Sequence, residues 1–116
     1  MKKINLGYVH MESFKKGDAL EDGSPGPDAR QYVLPANKAF VLTINYPLHT
    51  AFVKPFIKHG NRGMTREELI LKIIEAYKEV YRSPAKYGIW GHGMGDLMLH
   101  TATVDKDNVI TVGCDS

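Results

Sequence analysis

Thr65-Arg66-Glu67-Glu68-Leu69-Ile70-Leu71-Lys72-Ile73-Ile74-Glu75-Ala76-Tyr77-Lys78-Glu79-Val80-Tyr81-Arg82-Ser83-Pro84 is the stretch on which the reading of the fold turns. Leu69, Ile70, Ile73, Ile74, Tyr77, Val80 and Tyr81 recur every three or four residues, which places them on one broad apolar stripe of an α-helix running from about Arg66 to Arg82. Lys72, Glu75, Lys78, Glu79 and Arg82 fall off that stripe. Thr65 reads as the N-cap, and Glu68, three residues on, completes a capping box. Glu68 and Lys72 form an i,i+4 pair in the favourable order. Ser83-Pro84 stops the helix, because the residue before a proline is pushed out of the helical region. A helix that is apolar on one side needs a second layer to cover.

The flanking sequence supplies that layer as strands. Residues 2–12 hold Ile4, Leu6 and Tyr8 in alternation, with Val9 and Met11 out of phase, and predict a short first strand. Residues 31–34 (QYVL) predict a second that stops at Pro35, and 39–46 (AFVLTINY) a buried third that ends at Pro47. Residues 50–58 predict a further strand, which Pro55 assigns to an edge or a bulge. Residues 97–104 and 109–114 flank the turn DKDN and predict a C-terminal hairpin. The segment 13–29, with its glycines, prolines and acids, predicts a mobile loop. The expected fold is therefore α+β: a mostly antiparallel sheet with one long amphipathic helix on one face and a C-terminal β-hairpin, as a single domain over 1–116. At 116 residues such a chain buries roughly 65% of its surface, enough for one core.

Composition narrows the function. Fifteen Lys and Arg against thirteen Asp and Glu give a net charge of +2, too little for a general binder of duplex nucleic acid. The single cysteine, Cys114, excludes an internal disulfide and a cysteine-based zinc site. The N-terminal MKKINLGYVHME lacks the apolar core of a secretory signal, and no run approaches the ~18 apolar residues of a membrane span. The expectation is a cytoplasmic protein.

Two segments stand out as candidate sites. From Ala29 to Arg66 there are six basic residues and no acid. They converge on Lys58-His59-Gly60-Asn61-Arg62-Gly63-Met64-Thr65-Arg66, at the expected helix start. Lys58, Asn61, Arg62, Gly63, Thr65 and Arg66 thus predict a phosphate cradle: helix N–H groups, close backbone approach and two arginine forks. The competing expectation is an ordinary capped helix beside a solvated basic loop. The second segment is Tyr87-Gly88-Ile89-Trp90-Gly91-His92-Gly93-Met94-Gly95-Asp96. Tyr87, Trp90 and His92, with Tyr46, offer rings on which a planar group stacks, and Asp96 offers an acceptor for a base edge. The competing expectation there is that Trp90 and Tyr87 fill the core or an interface. His92, Asp96 and His100 recur every fourth residue, but at ~13 Å between neighbours on a strand they do not gather one metal ion, and no metal or other cofactor is expected. No GxSxG, HExxH or P-loop is present, and His92 with Asp96 is the one acid–base pair that suggests an enzyme.

Asn45-Tyr46-Pro47-Leu48, Gly63–Leu69 (GMTREEL), Ile73–Tyr81 and Tyr87–Leu99 together resemble a class of small single-domain proteins carried by viruses and some cellular genomes. That class shares the order YPL…G-T-R…Y…GIWGH…DL, and the resemblance spans about residues 34–112. In size, build, basic stretch and aromatic–glycine segment the chain is also similar to phage immune-evasion sponges. These are small, non-catalytic oligomers that sequester the cyclic nucleotide signals of bacterial defence systems such as CBASS. That resemblance implies a homo-oligomer, dimer or tetramer, in the host cytoplasm, binding a cyclic dinucleotide or other phosphorylated small molecule without turnover. No binding residue is carried over from it. The alternatives are a protein-interaction or structural viral protein with no nucleotide ligand, and a small hydrolase acting through His92 and Asp96.

Overall fold

A computed structural model describes residues 1–20 and 26–116. The strands are β1 (Lys2–His10), β2 (Tyr32–Leu34), β3 (Ala39–Ile44), β4 (Phe52–Ile57), β5 (Met64–Thr65), β6 (Met98–Val104) and β7 (Val109–Asp115); the α-helices are α1 (Arg66–Tyr81) and the single turn α2 (Pro84–Tyr87). Five strands form one sheet in the order β1-β6-β7-β3-β4, and β2 pairs with β5 in a small second sheet. The architecture is the expected α+β one, with β6 and β7 as the C-terminal hairpin. All pairs in the large sheet are antiparallel except β3 with β7, which run parallel.

The period in α1 does what its stripe requires. Leu69, Ile70, Ile73, Ile74, Tyr77 and Val80 are buried in one core with Ile4, Leu6, Leu42, Ile44, Leu99 and Ile110 from the sheet. Both halves of the capping box at Thr65 and Glu68 are present. The helix gives way at Arg82, its C-cap, and Pro84 then starts the short turn α2.

Two apparent irregularities of sequence have structural causes. In β1, Gly7 takes φ +78° and the pairing with β6 shifts between Asn5 and Val9. This bulge resets the alternation, so Ile4 and Leu6 before it and Val9 and Met11 after it all reach the core. In β4, Pro55 faces Val41 of β3. Val41 N donates to Asn108 O (3.0 Å), so odd-numbered residues of β3 address β7 and even-numbered ones address β4. The nitrogen of Pro55 therefore points to the open edge, where no ladder bond is lost.

The mobile loop expected at 13–29 falls in part on residues 21–25, which lie outside the described residues. On either side the chain is held: Leu20 is buried, and the carbonyls of Asp28 and Ala29 accept hydrogen bonds from the start of α1.

Candidate functional site

The start of α1 was expected to cradle phosphate; in the structure its backbone donors and two of its basic side chains, Lys58 and Arg66, are engaged within the chain. Every N–H of the first turn already has a partner: Thr65 N donates to Glu68 Oε1 (2.9 Å), Arg66 N to Gln31 O (2.9 Å), Glu67 N to Ala29 O (3.0 Å) and Glu68 N to Thr65 Oγ1 (3.2 Å). Lys58 Nζ donates to both oxygens of Glu68 (2.7 and 2.8 Å) and to Gly63 O (2.9 Å). Burial works to raise the Glu68 carboxyl, but the hydrogen bonds from Lys58 and Thr65 outweigh it and hold it below the usual carboxylate range.

Arg66 departs furthest from its expected role. It lies beside the apolar stripe rather than on the loop surface, at 8% exposure. Its Nε donates to Asn5 O (2.7 Å) and its Nη1 to Asp28 O, tying the helix to β1 and to the segment before β2. Burial lowers its pKa, and the neighbouring Asp28 charge opposes that. Gly63 is needed for packing: a Cβ there would lie 2.3 Å from Leu34 O, where β5 meets β2. Only Asn61 and Arg62 of the expected cradle stay exposed. The cap is a joint between helix, β1 and the segment before β2, with the Glu68 carboxylate bonded to Lys58 and Thr65 N beside it.

The rings fare differently. Tyr46, just beyond the end of β3, and Trp90 and His92, in the glycine segment, come together across 44 residues or more of sequence. Tyr46 and Trp90 meet edge to face at 5.5 Å between centroids, and His92 lies 5.7 Å from each. His49 lies 6.3 Å from Trp90, tilted at 45°. Trp90 is 44% exposed, so it does not fill the core. Tyr46 Oη is within hydrogen-bonding distance of His92 Nε2 (3.0 Å) and Ser116 Oγ (2.6 Å).

The helix fixes both backbones that carry these rings. Tyr77 Oη donates to Tyr46 O (2.8 Å), and one turn later Tyr81 Oη donates to His92 O (3.1 Å). Burial pushes both phenols above the ordinary tyrosine range, so each remains a donor. Trp90 N donates to Pro47 O (3.2 Å), beside the cis Tyr46–Pro47 bond. His49 N donates to Tyr87 O (3.0 Å), and a Cβ on Gly88, at φ +65°, would lie 2.8 Å from the His49 Cβ. Gly88 thus permits the close approach that brings His49 to the cluster.

Not every residue of the segment joins in. Tyr87 meets Phe52 edge to face at 5.6 Å and carries the Lys86 ammonium above its ring. Asp96 Oδ2 accepts from Gly93 N (3.0 Å), which shapes the turn, and it makes no hydrogen bond to His92. Among the described residues no group of three or more His, Cys, Asp or Glu could hold a metal ion. No helix of the described residues is long and apolar enough to cross a membrane. Sequence reasoning missed Tyr77 and Tyr81 as anchors, because their spacing reads as plain core. It also missed Ser116, which reaches Tyr46 only once β7 lies beside β3.

Searches against family models, curated proteins and solved structures return no match to this chain.

Proposed function

We propose that this chain is a non-enzymatic binding protein that holds a small phosphorylated ligand by stacking its planar base on the Tyr46–Trp90–His92 surface. A cyclic dinucleotide is the most concrete candidate. The observation that carries this reading is a half-exposed indole held in a cluster of aromatic rings whose backbones are bolted to α1. A ring fixed in advance loses little freedom when a base stacks on it, which favours affinity. The exposed edge of the cluster also carries Tyr46 Oη, His92 Nε2 and Ser116 Oγ, which donate or accept according to the ligand's edge. Binding and sequestration need nothing more than this, and no bond is made or broken.

Trp90 is the only tryptophan, so its emission reports the site directly. Titration with a panel of cyclic and linear nucleotides should change that emission with saturation. Denaturing the loaded protein should return the ligand intact. Trp90→Ala should weaken binding by about 1–3 kcal/mol, the usual worth of one base–aromatic stack. A ligand recovered in altered form would make the protein an enzyme. A panel that neither shifts the emission nor yields bound ligand would assign the exposed Trp90 to a protein partner, where such residues act as anchors.

A further inference from the structure

At the opposite end of β3 lies a cleft of about 480 Å³, between the start of β1, the Pro35–Lys38 turn and the β6–β7 turn. Its lining brings Lys2, Lys38 and Lys106 together from three places far apart in sequence. Lys38 and Tyr46 lie just beyond opposite ends of β3, whose six residues alone span roughly 17 Å at ~3.3 Å per residue, so the cleft is separate from the ring cluster. No nucleotide-sized ligand on Trp90 reaches it.

The lysines of this cleft are in no ion pair among the described residues, whereas Lys54 and Lys58 are paired with Glu79 and Glu68. Lys2 Nζ donates to Val33 O (2.6 Å), in the strand next to the lining residues Leu34 and Pro35. Lys38 Nζ lies over the Phe40 ring at 5.9 Å. The lining holds one carboxylate, Asp105, whose Oδ1 accepts from Asp107 N (2.8 Å) and Val109 N (3.0 Å) and so closes its own turn. Three ammonium groups against one carboxylate leave a positive cleft of the size small-molecule sites have. Lysines act as separate point charges rather than planar forks, which suits a run of phosphates better than a single carboxylate.

We infer that this cleft is a second binding site, for the polyphosphate part of a small anion, independent of the ring cluster. Phosphate charge could come from inorganic triphosphate or from a nucleoside triphosphate, and both are used as probes. Amide spectra of the full chain, recorded during titration with inorganic triphosphate in ~0.1 M salt, should shift with saturation at residues 34–40 and 104–109. Lys38→Gln with Lys106→Gln should weaken that binding by tenfold or more, as loss of charge-assisted contacts does. The dispersed amide spectrum of the double variant shows that it is folded. Trp90→Ala should leave triphosphate binding unchanged. A nucleoside triphosphate that binds tighter than inorganic triphosphate at the same amides shows that the ring contributes, and equal affinity shows that the phosphates suffice. Shifts that do not saturate, shifts scattered over all surface lysines, or unchanged affinity in the double variant would overturn the proposal.

Discussion

Replacing Arg66 by alanine separates the two accounts of the helix start. Were Arg66 a surface ligand for phosphate, its loss would leave stability within about 0.5 kcal/mol, as for most exposed positions. The structure gives a different number. The guanidinium makes two charge-assisted hydrogen bonds, to Asn5 O and Asp28 O, each worth about 1.5–3 kcal/mol. Against this stands the cost of keeping the charge buried, which the alanine no longer bears. The net expectation is a loss of about 2–4 kcal/mol, a large share of the stability of a small domain. Urea unfolding followed by Trp90 emission and by far-UV circular dichroism measures it. Arg66→Lys should recover less than half, since one ammonium does not fork to carbonyls on two separate segments. Arg62→Ala, exposed in the neighbouring loop, is the control and should stay within about 0.5 kcal/mol. An Arg66→Ala protein as stable as its parent would refute the joint described above and return the cap to the list of ligand sites.

Ile74→Ala should cost about 2–5 kcal/mol in the same unfolding assay, because the side chain is buried between helix and sheet; a loss under about 0.5 kcal/mol would show that the stripe does not face the core. The Glu68 carboxyl is held below its ordinary value in the folded chain, so its contribution is present above the unfolded carboxylate range and is lost as pH falls through the folded value. Glu68→Gln should therefore lower stability at neutral pH and flatten its fall toward acid, and parallel acid limbs for the two proteins would contradict this. Val53 and Ile57, away from the ring cluster, are large apolar side chains left exposed, and self-association into a closed dimer or tetramer would cover such groups. Light scattering at micromolar concentration should return a multiple of the 13.0 kDa chain mass, and the monomer mass would remove the oligomer.

The local elements were legible in the sequence because their causes are local. The stripe from Leu69 to Val80, the Thr65 and Glu68 box and the Ser83-Pro84 stop fix α1, since period and capping act over four residues or fewer. Pro55 marked an edge strand because it lacks a donor wherever it lies. What the sequence could not decide was which partners would claim each polar group. Arg66 looked like a ligand for anions until Asn5 and Asp28, 61 and 38 residues away, presented their carbonyls to it. Lys58 looked free until Glu68 turned back to meet it. Tyr46, Trp90 and His92 became one surface only because Tyr77 and Tyr81 hold two distant segments to the same end of the helix. Lys2, Lys38 and Lys106 share a cleft only because the strand order places β1, β3 and the β6–β7 turn at one end of the sheet. Secondary structure follows from short-range periodicity, whereas the availability of a charge or a ring depends on contacts that only the folded chain creates.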